Sequence, residues 1–128
     1  HYNLWRPETA IRNAAPDGND RTDQDGGFVS LISAPCFPSY PSAHGTLSAA
    51  GQEVLERLYG PRGHDITFTL ALMPHLKLHY TTIKRIVEDI SDARVYGGIH
   101  FRFDQDGGES QGAQIGMYVY KHYLRPVH

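Results

Sequence analysis

The sequence predicts an all-α fold, part of a helical bundle, and three observations carry that expectation. Apolar residues recur at helical spacing in several segments, and Gly or Pro punctuates their ends. Only one short stretch alternates as a strand would, and it has no clear partner.

Taken in order, Leu4 to Arg12 reads as a short helix, with Pro7 and Glu8 suited to a first turn. Residues 13–41 hold six Asp or Asn, four Pro and three Gly, ending in Phe37-Pro38-Ser39-Tyr40-Pro41. That is the composition of a long loop, and loops of this length are usually functional or disordered. A helix is expected from Ser42, where Leu47, Ala50, Val54, Leu55 and Leu58 form a stripe and Gly60-Pro61 stops it. Ile66 to Leu70 is the strand-like stretch. Ile83, Ile86, Val87, Ile90 and Ala93 define another amphipathic helix, opened by Thr81-Thr82 and interrupted by Gly97-Gly98. A final helix is expected after Gly107-Gly108, with Ile115, Tyr118, Val119 and His122 along one face. Tyr123 and Leu124 close it before Pro126. No repeat and no second domain is visible, so residues 1–128 read as one unit.

Composition narrows the function. At 128 residues the chain can build one core, and 12 basic against 14 acidic residues give no charge bias toward nucleic acid or an anionic membrane. No apolar run approaches the roughly 20 residues of a membrane span. Cys36 is alone, which rules out an internal disulfide.

Three segments carry chemistry: Arg6-Pro7; Pro41-Ser42-Ala43-His44-Gly45 at a helix start; and Arg94, His100 and Asp104. A helix N-terminus offers free N–H groups and a partial positive charge, so Ser42, Ala43 and His44 stand where a tetrahedral anion binds. Two Arg add multi-donor guanidinium groups that suit phosphate-like oxygens. Of the two His, one is a nucleophile or ligand and the other an acid–base group. On an unbroken helix Arg94 and His100 would lie roughly 9 Å apart along the axis and point about 120° apart. A break at Gly97-Gly98 lets both face one pocket. Asp104, four residues on, can take the second imidazole N–H and fix the tautomer. Each piece alone has a plain structural reading: a helix start, a capped helix, a buried polar cluster. Their combination in this order is more specific.

Together the segments resemble the signature shared by vanadium haloperoxidases and type 2 phosphatidic acid phosphatases. It runs Lys, six residues, Arg-Pro; then Pro-Ser-Gly-His; then Ser-Arg, five residues, His, three residues, Asp. The flanks Phe37-Pro38-Ser39-Tyr40-Pro41-Ser42-Ala43-His44 and Gly98-Ile99-His100-Phe101-Arg102-Phe103-Asp104 favour the haloperoxidase branch. The resemblance implies a C-terminal active-site portion of a helical-bundle haloperoxidase, truncated at its N-terminus. His100 would be the axial ligand of vanadate, with Arg6, Ser42, Arg94 and the Ala43 amide holding its oxygens and His44 as acid–base residue. Hydrogen peroxide would oxidise halide to hypohalous acid, which halogenates a small organic acceptor. Phe37, seven residues before His44, falls where chloride-oxidising relatives carry an aromatic beside the halide.

The sequence departs from the signature at Ala43, where Gly is usual, and at Ala93, where Ser is usual. The signature Lys would fall two residues upstream of His1, and the family's long helical N-terminal region is likewise outside the sequence. A second copy, or an N-terminal helical polypeptide, is therefore expected to complete the bundle. The family also favours a secreted or periplasmic setting. Two alternatives remain: an acid phosphatase with His100 as nucleophile and His44 as leaving-group acid, and a degenerate anion-binding fragment.

Weaker candidates lie elsewhere. His75 and His79 could bind zinc from one helix face, though no third ligand has a fitting spacing. Cys36 reads as a small buried residue and not a nucleophile. Asp17 to Gly27 is Asp-rich but lacks an EF-hand pattern, and reads as a solvated loop.

Overall fold

The computed structural model describes residues 2–15 and 18–123. Its elements run α1 (Pro7–Arg12), α2 (Ala43–Tyr59), β1 (Ile66–Leu70), β2 (Met73–Tyr80), α3 (Ile83–Tyr96) and α4 (Arg102–His122). Asp17, Leu124 and Pro126, which figured in the sequence expectations, lie outside the described residues.

The helix starts follow their local chemistry. α1 begins at Pro7, later than the expected Leu4, because a proline without an N–H suits the first helical position. The Ser42 hydroxyl caps α2 by accepting from the Gly45 amide at 3.2 Å, and Gly60, at φ 85°, ends that helix. Thr82 caps α3 in the same way through the Arg85 amide at 3.2 Å. α3 stops at Tyr96, where Gly97 forms the cap and Gly98 takes φ 73°.

Three expectations need correction. The strand-like stretch does have a partner: β1 pairs antiparallel with β2 in a two-stranded hairpin, Thr67 opposite His79 and Phe68 opposite Leu78. The helical bundle therefore carries a small sheet. The last helix starts at Arg102, and Gly107, Gly108, Gly112 and Gly116 lie inside it. Finally, the apolar stripe of α3 does mark its buried face, through Ile83 and Val87, but those of α2 and α4 do not. Leu47 and Leu58 of α2 are 77% and 58% exposed, and Ile115 and Tyr118 of α4 are also exposed.

Small residues make the real contact. α2 packs chiefly against α4, and to a lesser extent against α3. A Cβ on Gly108 would come within 2.5 Å of the Ser42 carbonyl oxygen, one on Gly112 within 2.2 Å of that of Thr46, and one on Gly116 within 2.5 Å of that of Ala50. Glycine one turn apart on α4 thus lets it lie backbone against backbone along α2, at the helix-propensity cost glycine carries.

The apolar core is small: Ala14, Ala49, Tyr80, Ile83, Val87 and Ile99. Ser39, Ser42, Ser91, Asp104 and Gln105 are at least as buried. Burying polar groups is costly unless they are partnered, so their concentration where α2, α3 and α4 meet marks the site.

Candidate active site

Four separate stretches of chain supply the site. Arg6 precedes α1, Ser42 to His44 open α2, Arg94 lies in the last turn of α3, and His100 and Asp104 span the connection into α4. The Ser42 amide donates to the Asp104 carbonyl at 2.9 Å, tying the starts of α2 and α4 together.

His100 is the centre. It is buried, and its Nδ1 lies 3.0 Å from Asp104 Oδ2. Its Nε2 lies 2.9 Å from Arg6 Nη1. A guanidinium can only donate and a carboxylate accepts, so the proton sits on Nδ1 and the lone pair on Nε2. The same Oδ2 receives the Phe101 amide at 3.0 Å and the Ser39 hydroxyl. The sequence expectation of an Asp104–His100 bond holds, although His100 itself precedes the helix. Asp104 reaches back to it from the first turn of α4.

Arg6 is held as firmly. Besides His100, it donates to the carbonyls of Ile99 at 2.8 Å and Phe37 at 2.9 Å, and lies over the Phe37 ring at 4.9 Å. Phe37 is thus where the long loop meets the site, its ring 58% exposed. Arg94 Nε is buried with no hydrogen-bond partner among the described residues.

These groups are coupled electrostatically. Burial pushes His100 below the ordinary imidazole value; Asp104 opposes that shift, while the Arg6 and Arg94 charges add to it. Burial and then the Arg94 charge likewise lower His44. Arg6 feels Asp104 and Arg94 in turn, and burial lowers both arginines, which stay charged.

This donor set fits a tetrahedral oxyanion. The set comprises two guanidinium groups, the Ser42 hydroxyl and the Ala43 and His44 amides, which have no acceptor inside their own helix. The orphaned Arg94 Nε is what a bound oxygen would satisfy.

Sequence reasoning missed Ser39 and Gln105, both fully buried. Gln105 follows Asp104 on the face of α4 against Gly45. Ser39 lay within the most specific motif, but only its burial beside Asp104 reveals a role. The other candidates fare differently. His75 and His79 lie on strand β2, where four residues span roughly 13 Å, too far apart to share one ion. Among the described residues no three His, Cys, Asp or Glu group as a cation site. Cys36 is exposed, contrary to the expected burial. No described helix is long and apolar enough to cross a membrane.

Comparison with known proteins agrees with this architecture. The family model of the VCPO second helical-bundle domain matches residues 1–128. The structure is similar to that of a bacterial vanadium-dependent iodoperoxidase, with a TM-score of 0.73 and 26% identity, covering 91% of this chain and 26% of that one. It is also similar to a bacterial vanadium-dependent chloroperoxidase in its holo form, with a TM-score of 0.70 and 23% identity, covering 91% and 29%. The apo form of such a chloroperoxidase gives a TM-score of 0.72 at 23% identity, covering 91% and 30%. The chain thus spans less than a third of these structures' length. No curated protein matches it.

Proposed function

The chain belongs to the VCPO second helical-bundle domain family, and on that premise we propose that it forms the vanadate site of a haloperoxidase that oxidises halide with hydrogen peroxide. One observation carries the reading. His100 presents the Nε2 lone pair among oxyanion donors, while Asp104 holds the proton on Nδ1.

In this reading His100 Nε2 would bind the vanadium, and Arg6, Arg94, Ser42 and the Ala43 amide would hold the oxygens. Vanadate, when bound, supplies a Lewis acid that activates peroxide toward halide without changing its own oxidation state. The guanidinium groups balance anionic charge in a partly desolvated pocket. His44, kept neutral by burial and by Arg94, accepts a proton from hydrogen peroxide. Phe37 keeps one side of the pocket apolar, which favours the harder oxidation of chloride, with bromide and iodide oxidised in any case. The hypohalous acid then halogenates a small organic acceptor.

The test is to add vanadate, peroxide and bromide with a phenolic acceptor, and in parallel to offer a chromogenic phosphate ester. Bromination is expected. Ester hydrolysis without bromination would assign the pocket to phosphoryl transfer, and neither activity would leave only anion binding. His100→Ala should abolish vanadate binding, whereas His44→Ala should keep it measurable and lower turnover at least tenfold. Equal loss of affinity in both variants would contradict the separate roles.

A further inference from the structure

Ser39 belongs to none of the anion-binding positions above, yet its side chain is fully buried at the back of the site. Its hydroxyl donates to Asp104 Oδ2, and its Oγ lies 3.5 Å from His100 Nδ1. Its own amide is pinned to the Leu4 carbonyl at 3.0 Å, two residues before Arg6. We propose that Ser39 is a positioning residue, locking the Asp104 carboxylate so that His100 keeps its proton on Nδ1 and its lone pair on Nε2 when an oxyanion occupies the pocket. This deepens the vanadate reading and rests on it for the identity of the anion.

Three observations build the case. First, Asp104 is held through one oxygen only. Oδ2 receives Ser39, the Phe101 amide and His100, while Oδ1 is buried with no partner. A buried carboxylate with an unsatisfied oxygen gains by turning toward any new donor, so it needs anchors apart from the histidine it serves. The Phe101 amide is one such anchor and the Ser39 hydroxyl the other.

Second, a serine hydroxyl has one proton and two lone pairs. With the proton committed to a carboxylate that only accepts, the lone pairs are what Ser39 offers to its other neighbour, Nδ1. Both oxygens near Nδ1 are therefore acceptors, and they leave no place for a bare nitrogen there.

Third, the other restraint on the ring is the one an anion must displace. Arg6 Nη1 sits against Nε2 at 2.9 Å. A ligand taking the Nε2 lone pair replaces that contact, and from then on the protein's polar contacts with the ring nitrogens are those on the Nδ1 side. Groups that orient a ligand histidine from behind are worth roughly 10–100-fold in affinity.

The experiment uses the protein with Ser39→Ala, Ser39→Thr, Asp104→Asn and the Ser39→Ala/Asp104→Asn pair, each checked for cooperative unfolding. In anion-free protein labelled with ¹⁵N at histidine, the His100 Nδ1–H resonance is identified by its loss in His100→Gln. Ser39→Ala should make that proton exchange with solvent about 10-fold faster, and Ser39→Thr, which keeps the hydroxyl, should restore slow exchange. Titrated orthovanadate and inorganic phosphate should bind about 10-fold more weakly to Ser39→Ala. In the Asp104→Asn background Ser39→Ala should add less than a twofold change, because its effect passes through Asp104. If the extra methyl of threonine prevents folding, the alanine and paired variants still decide the matter. Unchanged exchange and affinity in Ser39→Ala would overturn the proposal, as would losses that multiply in the paired variant. A wild-type protein that binds neither anion would defeat the vanadate reading, while proton exchange would still test Ser39.

Discussion

His44 and Arg94 are coupled electrostatically, and burial acts on both. His44 is lowered from 6.5 by burial first and by the Arg94 guanidinium second. A depressed value means that the neutral ring, the form able to accept a proton, persists to more acidic pH. The acid limb of peroxide-dependent turnover should therefore lie below pH 6.5, the ordinary value for this group. Arg94→Ala removes the cation and admits water, and both changes raise the His44 pKa. Its acid limb should move to higher pH as well as losing anion affinity, whereas Arg94→Lys, which keeps the charge, should move the limb much less. A pH–rate profile measured at saturating vanadate separates the two effects. A limb that stays put in Arg94→Ala would remove Arg94 from control of His44. The same burial explains what the sequence could not reveal at this scale. Arg6, His44, Arg94, His100 and Asp104 were legible because their residue types and spacing carry the chemistry. Ser39 was not, because a serine within a Pro-rich loop becomes informative only when its burial and its carboxylate partner are known.

At the scale of elements, most helix ends and the buried face of α3 were legible, whereas the start of α4 and the faces of α2 and α4 were not. Pro7, Ser42, Gly60, Thr82 and Gly97-Gly98 act locally, so their meaning survives without tertiary structure. Gly107-Gly108 misled because glycine ordinarily breaks helices, whereas here close contact of Gly107 with the Tyr40 ring and of Gly108 with the start of α2 outweighs propensity. The hairpin was missed because β2 runs through Pro74 and shows one charged and two imidazole side chains on one face. The two roles of glycine can be told apart by substitution. Gly112→Ala would drive a methyl group to 2.2 Å from the Thr46 carbonyl oxygen, so the helices must separate. We expect a loss of about 1–3 kcal/mol, read as a lower midpoint in thermal or denaturant unfolding, with weaker anion binding because α2 and α4 jointly frame the site. Gly51, inside α2, faces open space, and Gly51→Ala should instead stabilise the protein by about 0.5–1 kcal/mol. If Gly112→Ala proves as stable as the parent, the helices are not in the backbone contact described.

For the whole molecule the decisive quantity is surface. The chain exposes 9150 Å² at a mass of 14.3 kDa, where a compact monomer of that mass exposes roughly 6800 Å². Large apolar side chains are exposed, several of them on the helices that frame the site. Leu47, Leu55, Leu58 and Tyr59 of α2 and Ile115 and Tyr118 of α4 are all open, and the hairpin adds Phe68, Leu70, Leu72 and Met73. Among them Leu47, Leu55, Leu58, Ile115 and Tyr118 are residues whose helical spacing suggested buried faces. The periodicity is real, and we propose that a matching surface outside the described residues covers them. With a core of so few large apolar side chains, that face is a sizeable part of the available hydrophobic stabilisation. We therefore expect the chain to associate, through α2 and α4, with a second copy of itself or with another helical polypeptide. Light scattering or sedimentation of the purified 128-residue chain should give a mass above that of one chain, or else show a species that binds hydrophobic dyes and unfolds without cooperativity. Replacing Leu47 and Leu58 together by Glu should shift the associated form toward single chains, because each charge would have to be buried without a partner. Gln52→Glu, a charge change on the same helix away from those leucines, should leave the mass unaltered. A cooperatively unfolding monomer with no tendency to associate would show that the apolar faces of α2 and α4 need no cover.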